Sequence, residues 1–131
     1  MKSLKVILFS LSLFSLGSLA WAESGHAELL QRYHSEAGEV LSAERGKVLW
    51  ESRVDDKSCT TCHKSDITQP GEVKFLFFTK SIKPMALSAN PERYQDAEKA
   101  DKAFNKNCKR VFKRVCTAKE KGDLLSYLTS R

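Results

Sequence analysis

The chain has 131 residues, of which 41% are hydrophobic and 29% charged, with a formal net charge of +6. That length suits one small domain and excludes a multidomain assembly. The basic excess is modest, so an acidic protein partner is compatible with it and a nucleic-acid partner is not expected.

Met1 to Ala22 reads as a secretory signal, with Lys2 and Lys5 as the positive start, an apolar stretch from Val6 to Leu19, and Ala20-Trp21-Ala22 as a small-x-small cleavage site. A membrane anchor is the alternative, but the stretch is short for a span of about 20 residues and serines interrupt it. Cleavage after Ala22 would leave 23–131 as the mature domain, periplasmic and not embedded in a membrane. Glu23 to Ala37 then reads as a helix with Leu29, Leu30, Tyr33 and Ala37 on one face, ended by Gly38. His26 and His34 lie on it, and solvation is the ordinary fate of a histidine on such a helix. Ser42 is a natural N-cap for a second helix, Ala43 to about Ser52, with Val48, Leu49 and Trp50 as its core residues. Gly46 within it costs roughly 1 kcal/mol of helix propensity, which suggests that another backbone crosses there.

Cys59-Thr60-Thr61-Cys62-His63 follows, the spacing that attaches a c-type haem. Two thiols add across the porphyrin vinyl groups, and the adjacent histidine supplies the proximal axial nitrogen from the same loop. Half a zinc site and a thioredoxin-like dithiol are the competing readings. Zinc would need Cys108 and Cys116 as further ligands, at a spacing wider than a zinc knuckle uses. A thioredoxin-like fold would need strands alternating with helices, and no such pattern of β-branched runs is visible.

All three prolines fall between Lys64 and Pro91, and the stretch up to Asn90 reads as a loop around one haem edge. Phe75, Leu76, Phe77 and Phe78 inside it either cover a porphyrin face or form a short buried strand. Met85 offers a thioether, which is either a sixth iron ligand or an adaptable packing group. Asp96 caps a third helix that runs to about Arg110. At about 100° per residue, Ala97, Ala100, Ala103, Phe104, Cys108 and Val111 share a face, and Lys99, Lys102, Lys106 and Lys109 lie roughly opposite. Asn107 falls in the apolar sector, where its amide needs a partner: a backbone group, a haem propionate or the iron. In an exported protein a cysteine pair favours a disulfide. Joining Cys108 to Cys116 across about 12 Å of continuous helix exceeds the roughly 7 Å limit, so such a bond would need a turn between them. Thr117 and Glu120 form a capping box opening a last helix with Leu124, Leu125, Tyr127 and Leu128.

The Gly46-to-Trp50 face and the aromatic-bearing last helix resemble the crossed terminal helices of class I cytochromes c. More specifically, Ser42-Ala43-Glu44-Arg45-Gly46, Ser58-Cys59-Thr60-Thr61-Cys62-His63, Lys83-Pro84-Met85-Ala86-Leu87-Ser88-Ala89-Asn90-Pro91-Glu92-Arg93-Tyr94, and Asn107-Cys108 through Cys116-Thr117 to the Glu120-to-Leu125 run resemble the sphaeroides haem proteins. These are oxygen-binding monohaem cytochromes c. The resemblance implies an all-α fold of class I type wrapped around one covalently bound haem. It further implies Cys59 and Cys62 as thioethers, His63 as proximal ligand, Asn107 as a distal ligand that detaches on reduction, Cys108 and Cys116 as a disulfide, and a dihaem cytochrome c as redox partner. Oxygen, carbon monoxide or nitric oxide would occupy the vacated position. The loop Glu72 to Ser81 is longer and more aromatic than the family pattern, and Lys109 and Lys113 make the cysteine edge more basic. A gas-binding electron carrier is the expected function, with a plain electron shuttle ligated by Met85 as the alternative. Enzymatic turnover ranks lower because the sequence presents no distal histidine and arginine pair.

Overall fold

The computed structural model describes residues 23–131; the segment expected to be a secretory signal lies outside the described residues. Five helices and one small hairpin follow in the order α1 (Gly25–Ala37), α2 (Ala43–Glu51), α3 (Thr60–His63), β1 (Gly71–Lys74), β2 (Thr79–Ile82), α4 (Ala97–Phe112) and α5 (Ala118–Thr129). The helix boundaries follow local chemistry. Gly38 takes φ 68° to close α1, the Ser42 hydroxyl accepts the Arg45 N–H at the start of α2, and the Asp96 carboxylate accepts the Lys99 N–H at the start of α4. Thr117 and Glu120 form both halves of the capping box that opens α5.

The core lies where α1 and α2 pack on α5, around Leu29, Tyr33, Trp50, Leu124, Leu125 and Leu128, all buried. Gly46 is the crossing point: a Cβ there would overlap the Asp123 carbonyl oxygen, so only glycine lets the two backbones come this close. Asp123, only 4% exposed, locks the crossing by accepting from the Ser42 N–H at 2.6 Å and from the Arg45 guanidinium at 2.8 and 2.9 Å. Val48 is not a core residue, since it stands about 200° around α2 from Gly46 and is 70% exposed.

The segment expected to be a loop holds the two-stranded antiparallel sheet, with Gly71 opposite Ile82 and Lys74 opposite Thr79. Its turn, Phe75 to Phe78, is not a buried strand, since Leu76 and Phe77 are 88% and 89% exposed, and none of the four lines the space beside Cys59 and Cys62 where a porphyrin face would lie. Gly71 sits so close to the Cys62 carbonyl that a side chain would not fit, which clamps the hairpin base onto α3. After β2, Tyr94 donates to the Met85 carbonyl at 2.7 Å and Arg93 donates to those of Pro84 and Lys83 at 2.8 and 2.7 Å, fixing the approach to α4.

Candidate haem site

The turn that carries the cysteine motif is built by its own hydroxyls. The Ser58 N–H donates to Thr61 Oγ1 at 3.0 Å, and the Ser58 and Thr60 hydroxyls lie 2.6 Å apart. The His63 N–H then reaches the Cys59 carbonyl at 3.1 Å, so Cys59 and Cys62, one helical turn apart, share a side of the turn. Lys64, at φ 62°, ends it, and its carbonyl accepts from the Trp50 indole N–H at 3.3 Å. Trp50 therefore ties the motif to the crossed helices.

Cys59, Cys62 and His63 open onto one predominantly apolar cleft. Its other walls come from every helix but α1 and from the hairpin: Trp50 of α2, Val73 and Ile82 of the hairpin, Phe104 and Asn107 of α4, and Leu124 of α5. A second cavity adjoins it and is bounded by His63, Met85, Tyr94, Ala103, Phe104 and Asn107. Both thiols are free and half-buried. Burial pushes the Cys59 thiol up to about 11, so it is a neutral thiol. Burial, with Arg93 and Arg110 adding repulsion, pushes His63 down to about 4, which leaves an uncharged imidazole with a lone pair to donate. His63 Nδ1 is buried without a partner, and the ring lies 5.5 Å from that of Trp50. Two free cysteines one helical turn apart beside a neutral imidazole on an apolar wall fit a covalently attached haem. They do not fit zinc: among the described residues no cluster of three or more His, Cys, Asp or Glu could hold a metal.

Asn107 and Met85 both line the cleft and the adjoining cavity, so the structure brings together the two residues expected to compete for the distal position. Asn107 is in the expected helical sector, but that sector faces the cleft and the residue is exposed, not enclosed in protein. Cys108, the next residue, is bonded to Cys116 with Cα atoms 5.7 Å apart. The turn between them is made by Lys113 in the left-handed conformation, and α4 continues to Phe112, two residues beyond its expected end. Closing this eight-residue loop contributes roughly 2.5 kcal/mol on the chain-entropy account. Neither His26 nor His34 lines the cleft or the cavity beside it. The Lys99, Lys102, Lys106 and Lys109 row is exposed as expected.

Two groups of polar residues near the site lie outside the expectations from sequence. Arg93 and Arg110 reach the walls around His63, and nothing in their sequence context marked them. On the opposite flank of α4, Asp101 accepts from the Tyr33 hydroxyl at 2.5 Å and from Lys121 Nζ at 2.7 Å, and Lys121 also reaches Asn105 Oδ1 at 3.3 Å. A signal for that cluster was available: Asp101 falls about 40° from Ala97, inside the apolar sector, as conspicuous there as Asn107.

Comparison with known proteins places this arrangement. The family described as a domain of unknown function, DUF1924, matches residues 36–128. The cytochrome c-type protein SHP of Cereibacter sphaeroides is 36% identical over 126 residues, covering 92% of this chain and 95% of its own. Cytochrome c'' of Methylophilus methylotrophus is 29% identical over 73 residues, covering 56% of this chain and 49% of its own. Among solved structures, that of oxidised SHP, described as an oxygen-binding cytochrome c, superposes with a TM-score of 0.75 at 37% identity, covering 84% of this chain and 100% of that one. The crystal structure of oxidised cytochrome c'' from Methylophilus methylotrophus gives 0.67 at 25% identity, covering 79% and 92%. Fold and site thus define a helical c-type cytochrome with one c-type haem. The chain belongs to the sphaeroides haem protein family, and to DUF1924.

Proposed function

We propose that this cytochrome is exported to the periplasm, carries electrons, and binds a diatomic gas when reduced. Cys59 and Cys62 form the thioethers and His63 is the proximal ligand. Asn107 is the labile distal ligand. When bound, the haem supplies an iron that alternates between ferric and ferrous states. The Asn107 amide oxygen is a hard, neutral donor, so it holds the ferric state more firmly and lets go on reduction. The observation that carries this reading is the position of Asn107 on the wall shared by the cleft and the second cavity, directly before a disulfide that anchors its helix end. Oxygen binding by a family member with a solved structure supports it. Arg110, with its guanidinium fork, suits a haem carboxylate, whereas Arg93, whose Nε and Nη2 already serve the Pro84 and Lys83 carbonyls, adds positive charge beside it. The exposed lysine row of α4 suits an acidic redox partner, a dihaem cytochrome c by family resemblance, and electron-transfer rates between the two should fall as salt rises.

Met85 lines the same two spaces, and this favours one second reading, a plain electron shuttle with Met85 as permanent sixth ligand. Absorption and EPR spectra decide between them. A six-coordinate ferric form and a five-coordinate, high-spin ferrous form that takes up carbon monoxide quickly are expected. Asn107→Ala should open the ferric site to water or added anions while Met85→Ala leaves the ferric spectrum nearly unchanged. The reverse pattern replaces gas binding with the electron shuttle.

A further inference from the structure

Among the described residues, four of the seven exposed large hydrophobic side chains sit together at the tip of the hairpin, outside the haem cleft. Phe75, Leu76, Phe77 and Phe78 are 50%, 88%, 89% and 62% exposed. They form a closed structure: the Phe75 N–H donates to the Phe78 carbonyl at 2.8 Å, and the two phenyl rings stack with centroids 4.6 Å apart. Leu76 and Phe77 are left as the outermost residues. A contiguous patch of this kind on a small protein marks an interaction surface.

The strand register says what surrounds it. Gly71, Val73, Lys80 and Ile82 share one face of the hairpin, while Glu72, Lys74, Thr79 and Ser81 share the other. Val73 and Ile82 line the cleft, so the base is anchored and the tip projects beyond it. Lys80 on one face and Lys74 on the other are both exposed and lie immediately behind the apolar tip, and Lys83 follows β2. A lysine therefore stands next to the tip on each face, with the exposed Glu72 further back toward the base on the Lys74 face. A groove on a protein would meet one face of a hairpin. A lipid surface surrounds an inserted tip, taking the apolar side chains into the acyl boundary and presenting anionic headgroups to lysines on all sides.

We propose that the 75–78 tip docks this cytochrome onto an anionic phospholipid bilayer. Attachment is peripheral, since no described helix is long and apolar enough to cross a membrane. A four-residue strand spans roughly 13 Å, so docking holds the cleft within about one hairpin length of the lipid surface.

The test uses the haem-loaded protein as the cell exports it, sedimented with vesicles of phosphatidylglycerol and phosphatidylethanolamine or of phosphatidylcholine alone. The wild type should sediment with the anionic vesicles, and Leu76→Ser/Phe77→Ser should weaken this at least about tenfold with the haem spectrum unchanged. Lys74→Gln/Lys80→Gln, added salt, or phosphatidylcholine should each weaken it by a smaller factor. Failure of the wild type to sediment overturns the proposal. So does sedimentation unaltered by the tip substitutions, which would assign binding to another segment. A tip variant that turns a dimer into a monomer without lipid, or that loses an acidic protein partner while vesicles never bind, replaces the bilayer with that occupant.

Discussion

The molecule has two halves of different character. Where α1 and α2 cross α5, protein packs on protein: Leu29, Leu125 and Leu128 have no exposure, a glycine permits the backbone contact, and Asp123 is satisfied by three donors. Around the cleft, side chains from α2, α3, the hairpin, α4 and α5 converge, and Cys59, Cys62, His63, Met85 and Asn107 there are half-buried or exposed. The first half is specified by its own side chains. The second is a set of walls whose common partner is the haem, and it follows that the two halves should respond differently to substitution.

The largest effect is expected at the cleft. Cys59→Ala or Cys62→Ala should remove stable covalent haem, read by acid-acetone extraction, and leave little folded protein, because a domain this small counts the porphyrin as part of its core. Haem that leaves the wild type under extraction is not thioether-bound. A well-folded apo variant would break the contrast between the halves from the other side, since the cleft walls would then stand alone.

On the crossed-helix side the sharpest probe is one methyl group. Gly46→Ala forces a Cβ into the Asp123 carbonyl, which is backbone and cannot swing aside, so a loss of about 3 kcal/mol or more in denaturant unfolding is expected. Gly122→Ala meets the end of the Leu41 side chain at 2.5 Å, which can move, and regains helix propensity, so its loss should be nearer 1 kcal/mol. Equal losses would mean that the crossing is looser than its geometry implies.

Acid should probe the seam between the halves, where α4 meets α1 and α5. Burial pushes the Asp101 carboxyl up, but hydrogen bonds from Lys121 and Tyr33 outweigh this and hold it below the ordinary value of 3.8. The native state therefore binds fewer protons than the unfolded chain. The stabilisation is complete above that value and fades as the pH falls below it. Asp101→Asn should lower stability at neutral pH and flatten its decline through that acid range; a parallel decline in both proteins would remove Asp101 from the account.

The same division explains what was legible in the sequence. The caps at Ser42, Asp96 and Thr117, the glycine crossing and the cysteine motif are local or helical-period signals, and each stands where its residues put it. Val48 was misplaced by its apolarity although its angle on α2, opposite Gly46, already argued against burial. The hairpin was not legible, because Gly-Glu-Val-Lys and Thr-Lys-Ser-Ile are too short and too polar to read as strands. Nor does hydrophobicity say which way a run of four apolar residues faces. Asn107 was found because an amide broke the apolar stripe. That its sector meets a cleft, and not a helix, is tertiary information.

The smallest predicted effect lies at the join. Thr117 follows Cys116, so the cap of α5 begins where the disulfide loop of α4 ends. Its hydroxyl accepts the Glu120 N–H at 3.2 Å, while the Glu120 carboxylate accepts the Thr117 N–H at 2.9 Å and pairs with Arg114. Thr117→Ala should cost about 1 kcal/mol, and Thr117→Ser should restore most of it. The informative comparison is the same substitution with the Cys108–Cys116 bond reduced. If the bond and the cap independently fix the entry to α5, the two losses add. A coupling beyond about 0.5 kcal/mol would mean that the disulfide positions the cap. The end of the helix carrying Asn107 and the start of the helix crossing Gly46 would then move as one unit, and the boundary between the two halves would not lie at this turn.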